Sequence, residues 1–326
     1  MLSAVGIIAS ILAMSVLFSA NSVNSFSSLI AATSLSKSSR DSTATIRTGE
    51  GATSNNSILP AAAAVSAMRH NITMTAVKVN ESGELYAYMM VSHKVTDLNT
   101  HVVTDITSTH SLQPSIPGPT IVIKEGDEVY LTIRNGLKDP SLGIVGVHVH
   151  GIHYDILSDG TLKVLNGEAD EGAPPPYEVH WIAGPGTKGT WPYHDHTLMG
   201  VNGKEYRGLF GAVIINPADG NLQQYKDGNV VNVALSSITK EIVAYARDDS
   251  FWVQEIDNTK TEGQNQTPLG TNPNLKAIIG SNVRWHIIPL GTDIHDFKLN
   301  TYTWLDPGTT NGMRVHRMGT SIASGI

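Results

Sequence analysis

The sequence predicts an all-β protein of two tandem Greek-key β-sandwiches, the second of them incomplete. From about Asn71 onward, short runs rich in β-branched and aromatic residues alternate with breaks of Gly, Pro, Asn and Asp. No convincing helical periodicity lies between these runs, and short strands at regular spacing are typical of β-sandwiches. Examples of these runs are residues 85–91, 120–123, 129–133, 145–149, 177–181 and 209–215, followed later by 230–235 and 283–288.

Two similar segments suggest that one sandwich occurs twice. Residues 120–129 and residues 275–283 each combine an apolar strand, a Gly-containing turn and a second strand that leads towards histidine. Such an internal repeat favours two copies of one unit. Because residues 217–227 form a polar, Gly-containing break, we predict a first domain over 69–217 and a partial second domain over 218–326.

The N-terminus predicts export. Residues 4–20 form an uncharged apolar run, which is long for a signal-peptide core and marginal for a membrane span. We therefore assign residues 1–25 to a signal peptide or N-terminal anchor, with cleavage and retention both open, and a buried helix is the alternative. Residues 26–68 are rich in Ser and Thr and predict a solvated linker. The expected location is extracellular or at the cell surface, with membrane anchoring possible only through this segment.

Composition excludes several classes of function. The formal net charge of −7 argues against nucleic acid as a partner. The sequence contains no cysteine. Disulfides, thiolate zinc sites, iron–sulfur clusters and a blue-copper centre built within these residues are therefore excluded.

Two His-x-His motifs carry the chemistry. On a β-strand, alternate side chains face the same side, so each motif presents two imidazoles to one point. Neutral imidazole is a preferred ligand of copper and zinc. Two such strands side by side would gather four ligands, and Asp195, between the second pair, would face the other way as a structural residue. The predicted metal ligands are His148, His150, His194 and His196.

The remaining histidines carry weaker signals. His153 falls outside the pairing with His150, while His180 and His286 occur in strand-like runs and are expected to be packed or hydrogen-bonded. Four more have no metal-like spacing in the sequence: His70, His93, His101 and His110.

The flanks of the two motifs resemble the multicopper oxidases, whose domains are cupredoxin sandwiches. The likeness runs from about residue 117 to 217 and is strongest to the two-domain small laccases. It is carried by Ile116-Pro117-Gly118-Pro119-Thr120-Ile121 with Gly126-Asp127, by His148-Val149-His150-Gly151, by Tyr154 and Ser158-Asp159-Gly160, and by the segments 189–196 and 207–215.

The resemblance implies a laccase-like oxidoreductase that oxidises a small reductant and reduces dioxygen to water. In that family, four histidines of the first domain and four from a neighbouring chain of a trimer hold a copper cluster at the subunit interface. By position, His148 would bind the type 2 copper, while His150, His194 and His196 would bind the type 3 pair. Tyr154 and Asp159 match residues that supply electrons and protons, and are the implied catalytic residues.

The second domain departs from the family pattern. Of the expected His-x-x-His-x-His, only His295 is present, as an implied type 1 ligand, because Lys298 and Asn300 occupy the other two positions. A protonated lysine cannot bind copper. The family's His-Cys-His element is missing, and about 20 residues follow Trp304, which we expect to be too few to complete a sandwich. His316, in a basic tail, is expected to be solvated.

Two hypotheses from different classes follow. The chain is either an exported multicopper-oxidase-type enzyme that needs further residues or a partner chain for turnover, or a non-catalytic copper-binding module, a relic included. A copper nitrite reductase fits less well, because its first domain would carry a type 1 cysteine where this sequence has Asp195. The copper content of the chain separates the first two hypotheses.

Overall fold

A computed structural model describes residues 67–79, 84–137, 144–161, 177–197, 203–226, 229–248, 250–291, 293–297, 304–306, 314–316 and 320–323. Over these residues the chain is built almost wholly of strands, with short 3₁₀ turns at Thr107–Thr109 and Leu235–Ser237. The predicted all-β class is confirmed. Of the predicted signal segment (1–25) and linker (26–68), residues 1–66 lie outside the described part of the chain. No helix among the described residues is long and apolar enough to cross a membrane.

Ten strands form the first sandwich. In chain order they are β1 Met68–Lys78, β2 Tyr86–Asp97, β3 Val103–Asp105, β4 Thr120–Lys124, β5 Glu128–Asn135, β6 His148–Val149, β7 His153–Tyr154, β8 Tyr177–Ile182, β9 Gly189–His194 and β10 Phe210–Asn216. One sheet has the order β3-β2-β1-β5-β8-β7 and the other β4-β10-β9-β6. The pairs β1–β5 and β4–β10 are parallel, and the other pairs are antiparallel.

The core between these two sheets fixes the strands that carry the histidines. Leu131 and Trp181 from one sheet pack in the same cluster as Tyr193 and Val213 from the other, and all four are fully buried. Trp181 also donates its indole N–H to the carbonyl oxygen of Ser158, 3.3 Å away. The core therefore supports both β9 and the loop that follows β7.

The second part contains β11 Asn221–Lys226, β12 Asn229–Ala234, β13 Ile238–Ala246, β14 Phe251–Asp257, β15 Gln266–Thr271, β16 Asn282–Pro289, β17 Ile294–Phe297, β18 Trp304–Asp306, β19 Arg314–His316 and β20 Thr320–Ala323. Strands β15-β14-β13-β16 form a four-stranded sheet, and the pairs β11–β12, β17–β20 and β18–β19 are separate. Part of the predicted break at 217–227 is thus a strand, while the domain boundary itself stays a prediction.

The four-stranded sheet packs on the outer side of the first sandwich. Strand β10 is buried on both faces: Val213 and Ile215 face the first core, whereas Phe210 and Ile214 contact a cluster with Val243, among others, from β13. This explains why the run at 209–215 is apolar throughout instead of alternating.

The predicted internal repeat is wrong in its second copy. Residues 272–281 before β16 are irregular, with a turn at 279–280, where the pattern predicted an apolar strand. Ile278 and Ile279 are 81% and 87% exposed. Their apolar character therefore reflects no buried strand, which is why the pattern misled.

Candidate metal centre

The structure brings the two His-x-His motifs together. Strand β6 pairs antiparallel with β9, so that His148 lies opposite His194, while Val149 and Tyr193 point into the core. Because side chains alternate along both strands, the histidines share the face opposite the core. The predicted juxtaposition of the four histidines is therefore present.

The four rings form one cluster around His148. Its ring centroid lies 5.0 Å from that of His150, 5.7 Å from His194 and 5.1 Å from His196. The centroids of His150 and His194 are 5.2 Å apart, and those of His194 and His196 are 5.6 Å apart. Four imidazoles thus lie within contact distance of their neighbours.

Oxygen atoms behind the cluster orient two of the rings. His148 Nδ1 lies 2.7 Å from the carbonyl oxygen of Asp159 and 3.1 Å from its carboxylate Oδ1. His194 Nδ1 lies 3.0 Å from the carbonyl oxygen of Asp195. A carbonyl oxygen only accepts hydrogen bonds, so each Nδ1 carries the proton and each Nε2 offers a lone pair. Such partners are typical of histidines that bind metal.

The pair His150 and His194 is held in the neutral form. Burial lowers the pKa of His150 to about 4, helped by the charges of His148 and His196. Burial also lowers the pKa of His194 to about 3. Their Nε2 atoms face each other at 3.0 Å, so one proton lies between them. A metal ion at either Nε2 atom would replace this hydrogen bond, and each neutral ring would keep its one proton on the nitrogen that does not bind the metal.

The donor set fits copper by its chemistry. It consists of imidazoles, which suit copper, and oxygen atoms behind His148 and His194 set the tautomers of those two rings. Within the described ranges, no three histidine, aspartate or glutamate side chains already have the spacing of a metal site. Metal binding therefore requires side-chain adjustment, as the direct contact between His150 and His194 also indicates.

Tyr154 and Asp159 adjoin His148. The Tyr154 ring lies edge-on to the His148 ring at 6.1 Å between centroids, and its hydroxyl is hydrogen-bonded to the Asp159 carboxylate. Burial and the charge of Asp159 raise the pKa of Tyr154. Burial raises the pKa of Asp159, but hydrogen bonds from Thr161 and Tyr154 and the charge of His148 outweigh it, so the net shift is downward. Asp159 is therefore ionised at neutral pH.

Asp195 has the structural position that strand alternation predicts. It is fully buried, and its carboxylate accepts hydrogen bonds from the backbone N–H of Gly146 at 2.8 Å and from the Thr197 hydroxyl at 2.6 Å. Burial raises its pKa, although these hydrogen bonds act against the shift. Asp195 thereby ties the segment before β6 to the end of β9.

Gly160 closes the loop that carries Asp159. Its φ is +84°, and a Cβ there would lie 1.8 Å from the carbonyl oxygen of Val147. We expect G160A to lower the free energy of unfolding by more than the roughly 1–2 kcal/mol that a left-handed alanine costs, because the clash adds to it. Urea denaturation measures this.

G186A is the matched control for this prediction. Gly186 has a similar φ of +87°, but nothing lies within 4 Å of the position of its Cβ. G186A should therefore show the conformational cost alone. Equal losses in the two variants would contradict a steric role for Gly160.

His295 lies apart from the four-histidine cluster as the structure describes it. Its Nε2 is 3.8 Å from Asp248 Oδ1, and no ring contact joins it to the cluster. Its assignment as a metal ligand stays a prediction. Lys298 and Asn300 lie outside the described residues.

Sequence comparison defines the class of this site. Residues 95–220 match the family described as "Multicopper oxidase". This part of the chain is therefore similar to a multicopper oxidase domain, and it contains all four clustered histidines. The resemblance to that family is confirmed, and the family description names the predicted cofactor, copper.

Individual relatives are similar over part of their length. The "Probable nitrite reductase-hydroxylamine oxidoreductase fusion protein" of Kuenenia stuttgartiensis is 28% identical over 195 residues, covering 59% of this chain and 21% of that protein. "Copper resistance protein A" of Escherichia coli is 27% identical over 205 residues, covering 61% of this chain and 31% of that protein. The chain thus spans about a fifth to a third of these relatives.

Among solved structures, a copper nitrite reductase from Nitrosomonas europaea aligns with 79% of this chain and 81% of its own. The TM-score is 0.44 and the sequence identity is 16%.

Proposed function

We propose that the chain is part of an exported copper oxidoreductase of the multicopper oxidase type, which oxidises a small reductant and passes the electrons to dioxygen. The observation that carries the proposal is the cluster of four imidazoles that β6 and β9 bring together, inside the segment that matches the family. Bound copper ions would supply the redox chemistry, because reducing dioxygen to water needs several metal ions close to one oxygen molecule.

The residues around the cluster have distinct roles in this proposal. His148, His150, His194 and His196 would hold the copper ions. Asp159 fixes the tautomer of His148 and is ionised, so it can accept a proton. Tyr154 shares its hydroxyl proton with Asp159 while its ring contacts His148, which places one proton donor and one acceptor beside the cluster. Tyr154 and Asp159 are thus proposed to supply protons and electrons.

The proposal also needs ligands from elsewhere. Four histidines are half of the set implied for the cluster, and the described cluster contains no other histidine. We propose that a neighbouring copy in a homo-oligomer, a trimer by resemblance, completes the site at the interface. The exposed Ile156 and Leu157, 64% and 61% accessible, lie between Tyr154 and Asp159 and offer an apolar surface for such contact.

A second candidate function is a copper-binding module without catalysis. The observation that favours it is the absence of cysteine from the sequence, since thiolate is what makes a type 1 copper centre. Without that centre, this chain offers no conventional entry point for electrons from an organic reductant. Lys298 and Asn300, in place of two cluster ligands, point the same way.

The copper content of the full chain tests both candidates. The chain is loaded with copper, desalted and analysed for metal. The oxidoreductase proposal expects about two or more copper ions per chain, as a paired-metal site requires. H148A and H194A should each remove most of this copper, because each removes an oriented lone pair.

H153A is the control for the copper experiment. His153 is exposed and lies on β7, close to the cluster in sequence but not among its contacts. It should leave the copper content unchanged. One copper ion or fewer, lost in H148A, would favour the binding module, and a copper content near zero would refute both candidates.

A further inference from the structure

Three histidines that are distant in sequence form a buried row in the first sandwich. His70 on β1, His93 on β2 and His110 after the Thr107–Thr109 turn are 5%, 1% and 2% exposed. His70 Nδ1 lies 2.9 Å from His93 Nε2, and His93 Nδ1 lies 2.8 Å from His110 Nε2. This row is separate from the four-histidine cluster and has no role in the function proposed above.

The row is a chain of hydrogen bonds between imidazole rings. The ring centroids are 5.2 Å and 5.1 Å apart, about the N···N distance plus two ring radii, so the rings lie end to end. Burial, with the charges of its neighbours, lowers the pKa of His93 to about 2. Burial lowers that of His110 to about 4, although Gln266 acts against it. The row therefore orients His70.

The outer end of the row faces a carboxylate across a gap. His70 Nε2 lies 3.5 Å from Asp127 Oδ2, has no hydrogen-bond partner, and is buried with it. If His70 Nδ1 donates to His93, the Nε2 lone pair points at a negative charge, which is repulsive. If the row runs the other way, an N–H faces oxygen at a distance too long for a good hydrogen bond. A cation in the gap would resolve the first case directly. In the second case it would do so once the protons of the row shift, so that His70 Nε2 offers a lone pair.

The size of the gap suits a metal ion. Two bonds of about 2.0–2.2 Å at the tetrahedral angle place nitrogen and oxygen ligands about 3.4 Å apart. The other carboxylate oxygen, Asp127 Oδ1, accepts from the backbone N–H of Met68 at 2.8 Å, while Oδ2 accepts from that of Lys124 at 2.9 Å. These bonds hold the carboxylate in place. His93 supplies the partner that a metal-binding histidine requires for its second nitrogen.

Access to the gap comes from a surface groove. A groove of about 290 Å³ is lined by Met68, His70, Lys124, Asp127 and Asn216, among others. It gives a hydrated ion a route to the gap and room for water to complete its coordination.

We propose that His70 Nε2 and Asp127 Oδ2 form a second metal site, which binds one tetrahedral divalent transition-metal ion of the zinc type. His93 and His110 are positioning residues for this site. His93 Nε2 accepts a hydrogen bond from the Nδ1–H of His70, and the Nδ1–H of His93 donates to His110 Nε2. This tautomer leaves the Nε2 lone pair of His70 free for the ion.

The test uses the full chain with H148A and H194A, so that the proposed copper cluster does not compete. Calorimetric titration with Zn²⁺ alone should show about one ion per chain. Adding H70A or D127N should abolish this binding. Adding H93Q, which leaves both ligands in place, should weaken it about 10- to 100-fold. Adding H101A, at an exposed turn, should change nothing.

A second measurement tests the site without any substitution at His70 or Asp127, in case those variants fail to fold. In the H148A/H194A chain, ¹⁵N NMR should show Zn²⁺ shifting the Nε2 resonance of His70 while Nδ1 stays protonated. Absence of Zn²⁺ binding in that chain, or binding that H70A leaves unchanged in a folded protein, would overturn the proposal. Neither result would bear on the copper cluster, which uses other residues.

Discussion

Lowering the pH from 7 to 4 should reduce the free energy of unfolding of the metal-free chain by about 3 kcal/mol or more. His110 has a pKa of about 4 in the fold, against an ordinary value of 6.5, because burial disfavours its charged form. The unfolded chain binds a proton below pH 6.5 and the folded chain does not, so acid favours unfolding. Each pKa unit is worth about 1.4 kcal/mol, and His93 shifts in the same direction.

Urea denaturation at a series of pH values with a chelator present would measure this loss. The range from pH 7 to 4 distinguishes the effect of the histidines from that of Glu241, whose pKa is lowered to about 2. A lowered carboxyl pKa stabilises the fold above about pH 4.5, and that contribution is lost only as the pH falls towards 2. H110Q should reduce the slope of the curve between pH 6.5 and 4, while the buried His93, His150 and His194 keep their contributions. An unfolding free energy that is constant from pH 7 to 4 in the wild-type chain would contradict the prediction.

The sequence predicts the four-histidine cluster because its signal is local. Each His-x-His motif places two rings on one face, and the only long-range step is the pairing of β6 with β9. The resemblance of the flanking motifs to the multicopper oxidases predicts that the two histidine-bearing strands are neighbours. The apolar run at 209–215 was likewise sufficient to predict β10, since burial on both faces leaves a continuous pattern.

The row of His70, His93 and His110 could not be read from the sequence. Its members are separated by 23 and 17 residues, and their contact depends on how β1 pairs with β2. That register includes a bulge between Thr73 and Met74, which no local pattern reveals. Strand β13 was not among the runs named from the sequence, because the charged Glu241 occupies one of its buried positions.

Beside the apolar cluster on β10, the contact between the two parts of the chain includes a polar network that sequence patterns also miss. Glu241 on β13 is 5% exposed, and its Oε2 lies 2.6 Å from His286 Nε2. Since Glu241 is ionised, the proton of His286 is on Nε2, which donates a hydrogen bond to the carboxylate. His286 Nδ1 accepts a hydrogen bond from the Thr190 hydroxyl at 2.5 Å. Thr190 lies on β9, the strand that ends at His194. The network therefore links the second sheet to the strand of the metal cluster.

E241A should lower the free energy of unfolding by about 3–5 kcal/mol, the usual cost of removing one partner from a buried charge pair. The guanidinium of Arg284 lies 3.2 Å from Glu241 and loses this negative charge in the variant. Asn258 and His286 lose the carboxylate that accepts their hydrogen bonds. E255A is the matched control: Glu255 pairs with Lys240 at 2.9 Å, but both side chains are more than a fifth exposed. Because solvent screens that pair, its loss should cost less than about 1 kcal/mol. Urea denaturation at pH 7 compares the two variants, and similar losses would show that the buried network does not hold the two parts together.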